Sequence, residues 1–358
     1  MLKDARVLVT GGCGFIGSNF ILHLLERYPE CRVVNLDKLT YASNPANLRD
    51  IERDSRYRFV RGDICDAGLV DPLVAEADVV FNFAAETHVD RSLMEAGSFI
   101  LTDVLGTHVL LDAARRHPNV RRFVQVSTDE VYGEMPPGTY AREADPLHPR
   151  SPYAASKAGG DAQCTAFFET YGLPVIITRA ANNIGPRQHV EKVVPLFVTS
   201  ALRDEPLPLY GDGRQVRDWL YVEDHCRALD LIAREGEPGE VYNIGADNHQ
   251  ENIRVAEAIL QLLEKPLSLI RFVEDRKGHD RRYAVESSKL RALGWAPELD
   301  FTAALERTVQ WYQESRWWWE PIYAGPFREY YRQQYTERLA SGVPYDPAAP
   351  GKEGASSR

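Results

Sequence analysis

Up to about residue 180 the chain alternates short β-branched runs with longer segments of helical period, the pattern of a parallel sheet covered by helices on both faces. The strand-like runs are Arg6 to Thr10, Arg32 to Leu36, Tyr57 to Val60, Val79 to Phe83, Arg122 to Val126 and Pro174 to Thr178. Between them Ile16, Phe20, Leu24 and Tyr28 recur at helical spacing, as do Val104, His108, Leu111 and Arg115. The fold class is therefore α/β with a doubly wound sheet. At 358 residues and 44% apolar, the chain can fill one large core or two fused ones.

From Asn182 onward Pro and Gly become frequent, strands such as Leu207 to Tyr210 and Val216 to Val222 are short, and helices near Asn252 to Leu263 and Phe301 to Glu314 stand apart. A smaller mixed α/β lobe over 182–339 is expected. No Ser/Gly-rich linker separates it from residues 1–181, and the helix near Asp224 to Arg234 is apolar enough to rejoin the first core, so the chain should cross back over about 216–245. Residues 340–358, with Pro344, Pro347, Pro350, Gly351 and Ser356, have the composition of a disordered tail.

Directly after the first strand stands Gly11-Gly12-Cys13-Gly14-Phe15-Ile16-Gly17, opening a helix. Glycines at 11, 14 and 17 allow a tight turn, close approach of backbone N–H groups to a pyrophosphate, and close packing of helix on sheet. Such a loop alone is weak. Asp37 strengthens it: twenty residues past Gly17, at a strand end, its carboxylate can accept ribose hydroxyls and would repel a 2′-phosphate, which favours NAD over NADP. A Rossmann-type sheet follows. Asp63 and Ile64, after the third strand, are placed to border the adenine, although an Asp there also suits a turn.

Ser151-Pro152-Tyr153-Ala154-Ala155-Ser156-Lys157 opens another helix, with Tyr153 and Lys157 at i and i+4 on one face. A phenol of ordinary pKa near ~10 acts as a base at neutral pH only beside a cation, and Lys157 is that cation. Behind the fifth strand comes Ser127-Thr128-Asp129-Glu130-Val131-Tyr132-Gly133, at the strand end where open α/β sheets bind ligands. Thr128 can bond a sugar hydroxyl and steady Tyr153. Asp129 and Glu130 offer an acid and a base if their surroundings push their pKa values apart.

Net charge is −10, from 42 basic and 52 acidic residues, which disfavours nucleic acid as a partner. Five scattered cysteines without C-x-x-C point to reduced thiols in a cytoplasmic protein and to no metal site. The start lacks a long apolar h-region and no segment approaches eighteen uninterrupted apolar residues, so neither export nor a membrane span is expected.

With these residues in view, the chain resembles the extended short-chain dehydrogenases/reductases that act on nucleoside-diphosphate sugars, and among them the dTDP-glucose 4,6-dehydratases. The resemblance runs to about Pro321. Its most specific pieces are Asp37 to Ala42, Ala84-Ala85-Glu86-Thr87-His88-Val89-Asp90-Arg91-Ser92, Ser127 to Gly133, Asn182-Asn183, Arg217-Asp218-Trp219 and Gly278 to Tyr283. Epimerases and decarboxylases share the Tyr and Lys but are not expected to carry the Asp-Glu pair, which makes Asp129 the discriminating residue.

The resemblance implies that Tyr153 takes the proton from the sugar 4-hydroxyl while hydride leaves carbon 4 for NAD. Glu130 then removes the carbon 5 proton and Asp129 protonates the departing 6-hydroxyl, before hydride returns to carbon 6. It adds Phe15, Ile16, Lys38, Leu39, Thr40, Phe83, Ala84, Ala85, Glu86, Thr87, Thr102 and Asn183 to the cofactor set of Gly11, Gly14, Gly17, Asp37, Asp63, Ile64, Tyr153 and Lys157. Around the substrate it places Thr87, Asn182, Lys192, Val193, Pro208, Leu209, Tyr210, Arg217, Asn252, Arg276 and His279, together with Thr128, Asp129, Glu130 and Tyr153. Arg217 and Arg276 suit a diphosphate, and Tyr210 can stack on a pyrimidine.

Three positions depart from the family pattern: Lys277 stands for Pro, Ile184 for an aromatic, and Asp103 for Asn. By the same analogy, the long helix after the fourth strand and the helix carrying Tyr153 would pair with their copies as a four-helix bundle in a homodimer. Alternatives at this point are a dehydratase or epimerase for a UDP-linked sugar, and a catalytically idle sugar-nucleotide binder.

Overall fold

The computed structural model describes residues 1–345. Its strands are β1 (Arg6–Thr10), β2 (Arg32–Asp37), β3 (Tyr57–Arg61), β4 (Val79–Asn82), β5 (Arg122–Thr128), β6 (Val175–Ala180), β7 (Asn182–Ile184), β8 (Leu207–Tyr210), β9 (Val216–Tyr221), β10 (Val241–Ile244), β11 (His249–Glu251), β12 (Ile270–Val273) and β13 (Val343–Pro344). Seven of them form one all-parallel sheet in the order β10-β6-β5-β4-β1-β2-β3. β4, β5 and β6 are buried along their whole length, as expected for a sheet covered on both faces. β3 is one edge of the sheet and β10 the other, and the exposed Arg58 and Arg61 of β3 discourage pairing with another chain.

Strand order reverses between β1 and β4, so their carboxyl ends open a crevice at the centre of the sheet. The six strands read from sequence match to within about two residues at either end. The seventh, β10, was not among them: Val241-Tyr242-Asn243-Ile244 is too short to stand out, and it gains its identity only by pairing with β6. The helix Val222–Glu235 precedes it and packs Cys226, Leu229 and Ile232 into the same core as β1 and β4.

The second lobe has its own core, built from Phe197, Trp219, Ile259, Tyr312 and Trp319 among others. Two three-stranded sheets frame it, β11-β9-β7 and β13-β12-β8. The first residues of the tail expected from residue 340 are ordered instead: Ala340 closes the helix Pro326–Ala340, and Val343–Pro344 pairs with β12. The rest of the expected tail lies outside the described residues. No helix among the described residues is long and apolar enough to cross a membrane.

Candidate active site

Two clefts meet above the carboxyl ends of β1, β4 and β5. One is lined by the glycine loop, Asp37, Asp63 and Ala84 to Thr87; the other runs from Thr128 and Glu130 to Tyr210 and His279 in the second lobe. Phe15, Ile16, Thr87, Ser127, Tyr153, Gln188 and Lys192 border both.

The first cleft has the shape of a dinucleotide cradle. Gly11 has φ +67°, and a Cβ there would lie 2.7 Å from the Ala84 nitrogen; at Gly17 it would meet the Gly11 carbonyl at 2.5 Å. Only glycine permits β1, the turn and the following helix to come this close to the end of β4. Asp37 is buried at the end of β2. Its Oδ2 accepts the Cys13 N–H at 2.8 Å, and its Oδ1 accepts the Leu39 N–H and the Ser43 hydroxyl, each at 2.8 Å. About one acceptor site of the carboxylate is left for a ribose hydroxyl unless Ser43 yields its own. Lys38 and Asp63 pair at 2.7 Å across the outer end. Of the residues expected around the cofactor, all but Leu39 and Asn183 line this cleft. Leu39 holds Asp37 from the side, at φ +60°, and Asn183 lies in the other cleft, bonded to His225 at 3.0 Å.

The helix Pro152–Tyr171 is fixed at its start by the Ser151 hydroxyl, which accepts the Ala154 N–H, and by Pro152 in the first turn. That places Tyr153 at the junction of the clefts and buries Lys157 beneath it, with Nζ donating to the Val126 carbonyl of β5 at 2.7 Å. Burial, followed by the charges of Glu130 and Asp103, pushes the Tyr153 phenol well above its ordinary pKa. Asp103 sits in a π turn, Ile100–Gly106, within the long helix that follows β4. Its buried carboxyl accepts the Ser156 hydroxyl at 2.6 Å and the Glu86 N–H at 3.2 Å, and burial pushes it up to about 6. Burial and the Asp103 charge push Glu86 up to about 7.

Thr128 ends β5, and its hydroxyl accepts the Glu130 N–H at 3.3 Å, capping a single 3₁₀ turn. The turn points Asp129 and Glu130 into the second cleft, with Asp129 Oδ2 buried and unpartnered. Their surroundings differ. Burial, then the Glu130 charge, pushes Asp129 up to about 8. Burial raises Glu130 too, but Arg276, Arg217 and Lys192 all oppose that rise, so Glu130 is the member of the pair surrounded by cations. The Tyr283 hydroxyl lies 3.3 Å from Glu130 Oε2.

Every residue expected around the substrate lines this second cleft. Arg217 donates to the Asp280 carbonyl at 2.9 Å and the Val216 carbonyl at 2.8 Å; among the described residues no carboxylate forms a salt bridge with it, so its charge is available to an anion. Arg276 lies 3.4 Å from Asp90. Tyr210, on β8, donates to Asp90 at 2.9 Å and accepts from Gln334 at 2.9 Å.

Sequence reasoning missed Tyr283, which lies in a quoted motif and stands beside Glu130, and it missed His88, Asp90, Gln188, Glu191 and Tyr335, which line the second cleft. His88 and Asp90 were also within reach, inside the Ala84 to Ser92 motif. Tyr335 had no signal at all: its helix lies beyond every motif and reaches the cleft only through packing of the second lobe.

A family model described as GDP-mannose 4,6 dehydratase matches residues 8–308. A dTDP-glucose 4,6-dehydratase of Actinoplanes sp. is 50% identical over 320 residues, covering 88% of this chain and 99% of that one. The low-salt glycan biosynthesis protein Agl12 of Haloferax volcanii is 53% identical over 306 residues, covering 86% and 98%. Among solved structures, DesIV of Streptomyces venezuelae, a dTDP-glucose 4,6-dehydratase with NAD and TYD bound, superposes with a TM-score of 0.86 at 49% identity, covering 88% of this chain and 99% of its own. Fold, clefts and likeness over most of both chains converge, and the chain belongs to the nucleotide-sugar dehydratase family, within it to the dTDP-glucose 4,6-dehydratases.

Proposed function

We propose that the protein converts dTDP-glucose to dTDP-4-keto-6-deoxyglucose, with NAD as a cofactor that is regenerated in each cycle. One observation carries the reading: Asp129 and Glu130 stand together in the cleft beside Tyr153, with Asp129 pushed up to about 8 and Glu130 among cations. An epimerase has no use for two adjacent carboxyl groups held in such different surroundings beside the tyrosine.

The glycine cradle and Asp37 fit NAD, which Gly11, Gly14, Gly17, Asp37, Asp63, Thr87 and Lys157 would hold. When bound, NAD supplies a hydride acceptor that later gives the hydride back. The chain's own groups move the protons. Tyr153 is placed to receive the proton of the 4-hydroxyl; the Thr128 hydroxyl opposes the rise that burial and the neighbouring carboxylates impose on its phenol, and Lys157 lies one turn along the same helix. Oxidation at carbon 4 acidifies the carbon 5 proton, and Glu130 takes it. Asp129, protonated at neutral pH, donates to the departing 6-hydroxyl, so water leaves with a balanced proton count. Glu130 returns its proton to carbon 5 as hydride reaches carbon 6. Arg217, Arg276 and Lys192 hold the diphosphate, and Tyr210 with Pro208 and Leu209 borders the base.

The dimer belongs to the same proposal. Leu93, Met94, Ile100, Leu101 and Leu105 are large apolar residues left exposed on the two helical segments after β4, and a second copy of the chain would cover them. We place the enzyme in the cytoplasm, in keeping with its five free cysteines.

Purified protein incubated with dTDP-, UDP-, GDP- and CDP-glucose tests the activity. The alkali-labile absorbance of a 4-keto sugar should appear fastest with dTDP-glucose and without added reductant. No product with any of the four overturns the enzymatic reading, and a faster UDP-glucose reaction overturns the assigned base.

A further inference from the structure

Arg91 lies in the partition between the two clefts and touches three separate segments of the chain. Its guanidinium carbon is 3.7 Å from the ring centre of Tyr41 and 4.2 Å from that of Tyr330, so the plane is sandwiched between two aromatic rings. Its Nε donates to Oε2 of Glu191 at 2.9 Å, and the Glu191 side chain is fully buried. The Tyr41 ring meets His189 edge-on, and the Tyr330 hydroxyl lies 3.2 Å from His88 Nδ1.

Each contact belongs to a wall. Tyr41 sits in the loop whose neighbours Thr40, Ala42 and Ser43 line the cofactor cleft, as His189 does. His88 and Glu191 line the substrate cleft, and Tyr330 shares its helix with Tyr335, which lines that cleft too. Lys192, next to Glu191, borders both clefts and donates to the Thr87 carbonyl. None of the chemistry derived above uses Arg91.

We infer that Arg91 is a positioning residue that latches the cofactor-side loop to the substrate-side wall, keeping the reduced cofactor in place until its hydride is returned. A reaction that oxidises and later reduces the same sugar fails if the cofactor leaves between the two steps. One planar cation bridging Tyr41, Tyr330 and Glu191 lets a nucleotide filling the second cleft stiffen the loop over the first. Arginine suits the post better than lysine, because a flat guanidinium can stack on two faces while an ammonium is a point charge. The inference rests on the proposed reading only for the identity of the ligands, and NAD retention is measurable without any turnover.

The test compares full-length wild type, Arg91→Lys, Arg91→Met and Arg91→Met/Glu191→Gln. NAD release is followed after rapid dilution, with and without thymidine diphosphate as the probe for the second cleft. Wild type should release NAD slowly, and more slowly still with the probe. Arg91→Met/Glu191→Gln, which removes both members of the Arg91–Glu191 pair, should release it about tenfold faster and lose the effect of the probe. Arg91→Lys, which keeps the charge but not the stack, should fall between them and keep a wild-type melting temperature. During turnover the double variant should liberate free NADH and an unfinished keto sugar. Wild-type release and probe response in the double variant overturn the inference, for Arg91 would then only neutralise Glu191. Faster release in Arg91→Met that is restored in the double variant has the same meaning. If the enzyme accepts none of the sugar nucleotides but NAD release still responds as described, the proposed substrate falls and the latch stands.

Discussion

The Ser156 hydroxyl donates to Oδ2 of Asp103 at 2.6 Å, fastening the helix that carries Tyr153 and Lys157 to a π turn in the neighbouring helix. Insertions of this kind aim a side chain that a regular helix would leave elsewhere, and here the aimed group is a carboxyl within electrostatic reach of both Lys157 and Tyr153.

Asp103→Asn keeps the shape and removes the charge. Ionised Asp103 raises the phenol, so its loss should move the pH dependence of the first oxidation toward acid by about one unit, read as transient NADH formation. The same variant should change stability with a defined sign. The folded-state carboxyl is pushed up to about 6, above the ordinary aspartate range, so its contribution is fully present below the unfolded value and is lost as pH rises through about 6. Wild type and variant should therefore differ most near neutral pH, with Asp103→Asn the more stable by about 1 to 2 kcal/mol in denaturant titrations. Identical pH profiles would leave Asp103 with a purely structural role.

Burial pushes Asp129 up to about 8, so the dehydration step should slow as pH rises through that value, and more steeply than the first oxidation does. Asp129→Asn should reduce water loss by about 100-fold or more yet still form NADH. Glu130→Gln should abolish exchange of the carbon 5 hydrogen with deuterated solvent. Equal slowing of oxidation and water loss in Asp129→Asn would contradict its assignment as the acid.

Tyr283 donates at 2.6 Å to Asp280 and stands 3.3 Å from Glu130, so it ties the second lobe to the proposed base. Tyr283→Phe should leave NAD binding intact, release Asp280 from its phenol partner and, by loosening the wall beside Glu130, slow carbon 5 proton removal by about tenfold. The primary isotope effect from carbon 5 deuterium should rise accordingly.

Gly11→Ala forces a side chain into a left-handed backbone and against the Ala84 nitrogen at 2.7 Å. It should destabilise the protein by about 1 to 3 kcal/mol and abolish NAD binding even in the fraction that folds. Thermal melts with and without NAD separate the two effects, since wild type should gain stability from the ligand and the variant should not.

Features carried by neighbours in sequence were legible from the start. The glycine loop, the Tyr153 and Lys157 pair and the Asp129 and Glu130 turn each occupy a few consecutive residues with an obvious period. Arg217, Arg276 and Tyr210 were not legible in that sense: each alone is an ordinary surface residue, and only likeness to a family placed them around an anion. Asp103 was visible as a departure, but its burial against Ser156 and Glu86 depends on a π turn that no periodicity announces. β10 and Tyr335 were invisible because what defines them is a partner, β6 in one case and the substrate cleft in the other.

β10 has a further consequence for how the molecule is made. The strand that completes the main sheet is synthesised after β7, β8 and β9 of the second lobe, and the helix that covers it comes just before. A nascent chain that has emerged only as far as β6 carries an open sheet edge and a bare apolar groove where Cys226, Leu229 and Ile232 will later settle. The ribosome must deliver more than sixty further residues, from Ala180 to Ile244, before that edge can be sealed. Neither lobe can be cut away as a finished module, and a polypeptide stopped between them is a candidate for chaperones rather than a half-enzyme.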